Sequence, residues 1–253
     1  MIPRLQAAPL VFGLLALAVW EGSVRLFGVP PYILPGPVAI VAAFLADPAL
    51  LLGSLASTLA VTAAALAASC AVAVAAAGLM AASRWARAAI LPWAIVLQVT
   101  PIVAIAPLII VWVGDPFASL VVCATIVAFF PVFSNTAAGL AAVPPELLDL
   151  FRLNGAGPWQ TLVLLRLPSA LPYFLAGLRV SGGLALVGAV VAEFVAGSGG
   201  FASGLAYGIL EAGYRLQIPR MFAALVLLSL AGIAINAALG AVETWLLRRR
   251  GAA

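Results

Sequence analysis

The sequence predicts an all-α membrane protein with about six transmembrane helices, and three observations carry that expectation. Hydrophobic residues make up 66% of the chain, and the mean hydropathy is +1.24. Charged residues make up only 8%, against about 25% in an ordinary soluble domain. The apolar residues also fall in long runs, and about 20 in a row are enough to cross about 30 Å of hydrocarbon. A soluble fold of 253 residues has too much surface to hide so many apolar side chains, a requirement that lipid removes. The links between runs are short, so residues 1–253 read as one membrane domain.

Six segments have the required length: Ala7–Phe27, Leu55–Met80, Ala88–Val113, Phe117–Leu140, Ala170–Ala196 and Met221–Leu247. The first loses its apolar character at Glu21, but Glu21 and Arg25 stand four apart and can pair on one helical face, so the helix runs on. A rival reading of the same stretch is a cleaved signal peptide, with Arg4 in front and Ala16-Leu-Ala18 at the cleavage site. The second segment is nearly all small residues from Ala63 to Ala77, which favours close helix packing. The third carries Pro92, Pro101 and Pro107 and the fourth Pro131, each of which removes a backbone donor and favours a kink. Beside these prolines stand Gln98, Thr100, Ser134, Asn135 and Thr136. Polar groups at this depth face the protein interior, where they either line a path with Pro101 or hydrogen-bond between helices.

Arginine placement sets the orientation, because arginine concentrates in cytoplasmic loops. With the N-terminus inside, the inner segments hold Arg4, Arg84, Arg87, Arg152, Arg166, Arg248, Arg249 and Arg250, and the outer ones only Arg25, Arg215 and Arg220. Both termini are therefore expected in the cytoplasm. The twelve basic residues are all arginine, scattered between apolar runs, so no nucleic-acid partner is expected. The chain has no histidine, which removes the commonest general base and every histidine-containing metal site. Gly197-Ser-Gly199 offers a serine, but neither histidine nor lysine is present to activate it. No catalytic residue, metal or cofactor is expected. Cys70 and Cys123 each sit inside an apolar run, as small packing residues do.

The stretch 141–168 is unlike the rest. Pro144 and Pro145 start a short helix with Glu146 and Asp149 near its positive end. Leu147, Leu148, Leu150, Phe151 and Leu153 make it apolar and Arg152 charges it. Asn154-Gly155-Ala156-Gly157 then breaks it, and Pro158 opens a second short helix through Leu167. Two short helices around a glycine turn read either as a knob for a partner's groove or as a simple connection between spans.

At these residues the chain resembles the importer permeases of the ATP-binding-cassette (ABC) class, whose cytoplasmic loop carries the EAA motif: Glu-Ala-Ala, three residues, Gly, nine residues, Ile, one residue, Leu-Pro. Here Asp149-Leu150-Phe151 stands at the Glu-Ala-Ala position, Gly155 follows after three residues, and Leu165, Arg166 and Leu167-Pro168 complete the spacing. The departures are Asp for Glu and Leu-Phe for Ala-Ala. The likeness runs from Leu34-Pro-Gly-Pro37 to the last span, through Gln98-Val-Thr-Pro101, Ala106-Pro-Leu108, Phe130-Pro131, Asn135-Thr136, Val191-Ala-Glu193 and Gly199-Gly200. It is most similar to the nitrate, sulfonate, taurine and thiamine-precursor group.

The resemblance implies a type I ABC importer permease architecture, used as a homodimer with two nucleotide-binding ATPase subunits inside and an extracytoplasmic solute-binding protein outside. It implies a coupling role for Glu146, Asp149, Leu150, Phe151, Arg152, Asn154, Gly155, Ala156, Leu165 and Pro168. With no lysine no phosphate-binding G-x-x-x-x-G-K-[ST] loop exists, so ATP is expected to bind on another chain. Glu193, an acid well inside a predicted span, is expected to pair with Arg215 or Arg220, either as a structural tie or beside the outer gate of the path. An ion-gradient-driven secondary transporter is the alternative, although the chain lacks a convincing inverted repeat.

Overall fold

The computed structural model describes residues 3–197 and 203–249. Among them are eleven α-helices and one π turn, with no strand. Gly199 and Gly200 of the resemblance, Ser198 and Arg250 lie outside the described residues. In order the helices are α1 (Pro3–Leu26), α2 (Pro37–Ala46), α3 (Pro48–Ala82), α4 (Arg84–Val99), α5 (Ile102–Val113), α6 (Pro116–Ala141), α7 (Pro145–Leu153), α8 (Pro158–Thr161), α9 (Leu167–Ala196), α10 (Leu205–Tyr214) and α11 (Ile218–Arg249). The π turn, Leu162–Arg166, joins α8 to α9. Proline opens α2, α3, α6, α7 and α8, where its missing N–H would be unpaired anyway and its fixed φ suits a first turn.

Four described stretches are long and apolar enough to cross a membrane: Pro48–Ala82, Pro116–Ala141, Pro158–Ala196 and Ile218–Arg249. The helices α4 and α5 make a fifth if taken as one broken span, and α1, at 24 residues, also has the length. The stretch 88–113, expected as one span, is thus two helices bent by 105°. Only Pro101 of its three prolines breaks it, since Pro92 and Pro107 lie inside helices. Thr100, before a proline, is pushed to extended backbone, and its N–H and hydroxyl both donate to the Val96 carbonyl, at 3.1 and 2.6 Å. That seals the end of α4 without a further turn.

A second difference is that α8, the short helix opened by Pro158, is continuous with the fifth span. The chain runs through the π turn into the fifth span, with Leu167 N–H donating to the Leu162 carbonyl. Pro168 cannot donate to Leu164, and the wide turn before it accommodates that missing bond.

The chain divides into two compact units, 1–57 with 199–229 and 58–198 with 230–253. In the first, Ile40, Leu51, Leu205, Ile209, Ala223 and Ala224 form the core, flanked by Trp20 and Phe222 with ring centroids 6.4 Å apart. Glu21 ties this unit together. One carboxylate oxygen takes Arg25 at 2.6 Å, as the sequence spacing suggests, and the other accepts the Val38 N–H in the first turn of α2 at 3.1 Å. A Cβ on Gly36 would stand 2.5 Å from that second oxygen, so the Leu34-Pro-Gly-Pro37 string is shaped to admit the carboxylate.

The second unit is built on the α6–α9 pair. Its seam is small: Cβ atoms added to Gly177 and Gly188 would meet the Pro131 carbonyl at 2.7 Å and the Ala124 backbone at 2.8 Å. Ser181, fully buried on α9, donates to the Ala128 carbonyl of α6 at 2.6 Å. Close backbone approach of this kind replaces the hydrophobic drive that lipid does not supply. Phe129, Val132 and Phe133 of α6 pack with Ala73, Ala77 and Met80 of α3 on one side. Val61 and Ala65 of α3 meet Ala106 and Ile109 of α5 on another.

Candidate functional site

The helix α7 buries none of its nine residues. Glu146 lies in its first turn and Arg152 in its last, where each complements the helix dipole. Arg152 pairs with Asp149 at 2.9 Å, an exposed pair that adds little stability. Leu150 is exposed, Leu153 is 86% exposed, and Phe151 is half-buried. A helix with so little to hold it on its own chain needs a firm end, and it has one. Asn154 caps it, its side chain donating to the Leu150 carbonyl at 2.7 Å. Gly155 then takes φ +70°, while its N–H donates to Arg152 and that of Ala156 to Phe151, each at 3.0 Å. This is the paired-bond glycine stop that satisfies the last helical carbonyls.

Beyond the stop, the Gln160 side chain accepts the Gly157 N–H at 2.9 Å and starts α8. Leu162 and Leu165 are buried in the π turn, and Pro168 is exposed just after it. Arg166 reaches the Ala81 carbonyl near the end of α3 at 3.2 Å, a tie across 85 residues that sequence spacing does not announce. A cleft of about 300 Å³ lies behind α7, lined by Leu148, Arg152, Thr161 and Arg166 with Ala81 and Ala82.

The intramembrane candidates divide. Gln98 and Thr100 line a cavity of about 300 Å³ together with Ile126, Val127, Phe130 and Leu184. Pro131 also lines it, and its ring leaves the Val127 carbonyl without a helical donor. Pro101 forms the bend at its edge, as N-cap of α5. The side chains of Ser134 and Asn135 turn back on the Pro131 carbonyl, at 3.4 and 2.8 Å, and Thr136 is buried in the helix packing. Glu193 is buried near the end of α9. The arginines expected to meet it have local partners: Arg215 pairs with Glu211 at 2.7 Å and Arg220 donates to Gln217 at 3.3 Å.

One further arginine lies within a predicted span, left out of the orientation count and given no role from the sequence. Arg179 of α9 donates to Asn236 of α11 at 2.9 Å and stands 3.7 Å from Glu243. The signal that could have found it is the i, i+4, i+7 stripe of Asn236, Gly240 and Glu243 within an apolar run.

Residues 71–250 match the family described as binding-protein-dependent transport system inner membrane component. A probable ABC transporter permease protein of Haemophilus influenzae is 35% identical over 246 residues, 97% of each chain. The riboflavin transport system permease protein of Chloroflexus aurantiacus is 36% identical, over 93% of this chain and 87% of its own. The formylaminopyrimidine transport permease protein of Halalkalibacterium halodurans is 34% identical, over 94% of each chain. With a family match over most of its length and relatives at this identity end to end, the chain belongs to the binding-protein-dependent inner-membrane components, the permeases of ABC importers.

Proposed function

We propose that this chain is the membrane-spanning subunit of an ATP-driven solute importer, with two copies forming the path and two ATPase subunits docked on the cytoplasmic side. Both termini lie in the cytoplasm and the complex sits in the inner membrane. An extracytoplasmic binding protein delivers the solute, which is a small anion, a sulfonate, or a pyrimidine or thiamine-precursor-like compound. The name of the formylaminopyrimidine relative supports a ligand of the pyrimidine kind. Permease subunits of this family are not themselves enzymes, and ATP is hydrolysed on the partner chain.

The observation that carries this reading is α7: a short charged and apolar helix with no buried residue, fixed at its end by the Gly155 stop. That is what a helix made to enter another protein's groove needs. Asp149, Leu150, Phe151 and Arg152 then make the contact, while Asn154, Gly155, Ala156, Leu165 and Pro168 hold its geometry. Gln98, Thr100 and Pro101 border the path, with Ser134, Asn135 and Thr136 behind them, and Glu193 helps to hold the outer gate shut until the binding protein docks.

The test is reconstitution in liposomes with its ATPase and binding-protein partners. Loaded binding protein should stimulate ATP hydrolysis, and the solute that co-purifies with the binding protein should enter only when ATP is supplied. Uptake that follows an ion gradient without ATP would instead establish a secondary transporter.

A further inference from the structure

Arg179 lies twelve residues beyond Leu167 on α9, so about 18 Å along that helix. Asn236 lies thirteen residues before Arg249 on α11, about 20 Å from its end. Both stand within stretches long and apolar enough to span a membrane. A guanidinium at that depth is costly against lipid, and such groups face either protein or water. Yet its side chain is 48% exposed, and Asn236 is exposed beside it.

The seat is built from one stripe of α11. Asn236 takes Nε at 2.9 Å and Glu243 lies 3.7 Å from Nη1. Gly240 stands between them, where a Cβ would meet Cζ at 3.5 Å. The cation is thus held in place but not covered. The face of α9 that carries it is open: Pro172, Ala176, Val180 and Val187 are exposed at intervals of four, four and seven residues, and Arg179 is exposed next to Val180. Leu184, at the edge of this face, lines the cavity that contains Gln98 and Thr100.

From this we infer that Arg179 borders an aqueous cavity of the transport path and presents a fixed positive charge to the solute, favouring solutes that carry an oxyanion such as a carboxylate or sulfonate. The inference rests on the importer reading above. Glu243 and Asn236 are positioning residues. Glu243 makes the buried side of the cation tolerable, and its separation leaves the guanidinium free to attract a second anion.

The experiment reads the charge of the cavity without knowing the solute. In the assembled complex with Cys70→Ala and Cys123→Ala, Ala176→Cys is labelled in membrane vesicles with an anionic and a cationic methanethiosulfonate reagent of similar size. Both should react, and the anionic one should lose on the order of tenfold relative to the cationic one when Arg179→Gln is added. Arg179→Lys should keep the ratio, and Glu243→Gln should shift it toward the anionic reagent. Co-purification of the ATPase shows that each variant is assembled. If Ala176→Cys in the assembled complex reacts with neither reagent, its face is against lipid or protein and the inference is overturned. If it reacts but Arg179→Gln leaves the ratio unchanged, the charge is not presented to the cavity and the inference is equally overturned. ATP-driven uptake by the parent complex is measured separately, so either failure leaves the importer reading standing.

Discussion

Two glycines decide most at the scale of single residues. Gly155 holds φ +70° with open space around it, so its role is conformational. A β-branched side chain there strains the left-handed backbone by about 1–2 kcal/mol. Gly155→Val should therefore disorder the end of α7, and co-purified ATPase and coupled uptake should both fall severalfold while membrane insertion is unchanged. Normal ATPase recovery and uptake would count against a coupling role for the loop. Gly36 is different, because its lack of a Cβ makes room for the Glu21 carboxylate against the first turn of α2. Gly36→Ala displaces the oxygen that accepts the Val38 N–H, and Glu21→Ala removes it. The two changes should lower the thermal midpoint in detergent by similar amounts, and the double variant no further than either, since they break one interaction. Simple addition of the two effects would show that they act independently.

The helices differ in how much of them the sequence announces. The lengths of α6, α9 and α11 follow from run length alone, because a stretch of apolar residues that long has few other uses. The two ten-residue helices α2 and α10 carry no such signal, and the stretch from 198 to 217 reads as a loop by composition. The break between α4 and α5 is hidden for another reason: three prolines offer three places, and the choice of Pro101 shows only in how Thr100 satisfies the Val96 carbonyl. The site follows the same rule. The local device Asn154-Gly155 is legible, whereas the Arg179–Asn236 contact spans 57 residues and rests on how α9 meets α11. The α6–α9 seam gives a test at this scale. Gly177→Leu and Gly188→Leu should each cost about 1–3 kcal/mol by overpacking, read as a lower thermal midpoint of the purified chain. Gly183→Leu on the same helix, where nothing lies within 4 Å, should be tolerated. Equal loss in all three would mean that any large residue harms α9, and that the seam is not special.

At the scale of the molecule, the question is what covers the polar groups that one chain leaves open. Arg179 and Asn236 stand exposed within spans, and Gln98 borders a cavity open at its edge. Lipid is a poor cover for any of them. A single copy presents one such face, and a path enclosed by protein needs a second wall. The simplest supplier is another copy of the same chain, because two identical subunits close on each other by a twofold axis with no new surface to evolve. The ATPases then follow the same symmetry, since each copy presents one α7. The expected assembly is two permease chains and two ATPase chains, and native mass spectrometry of the detergent-solubilised complex measures it directly. A complex holding one permease chain with two ATPases would overturn the twofold assembly, and would require that a different membrane chain supply the second wall.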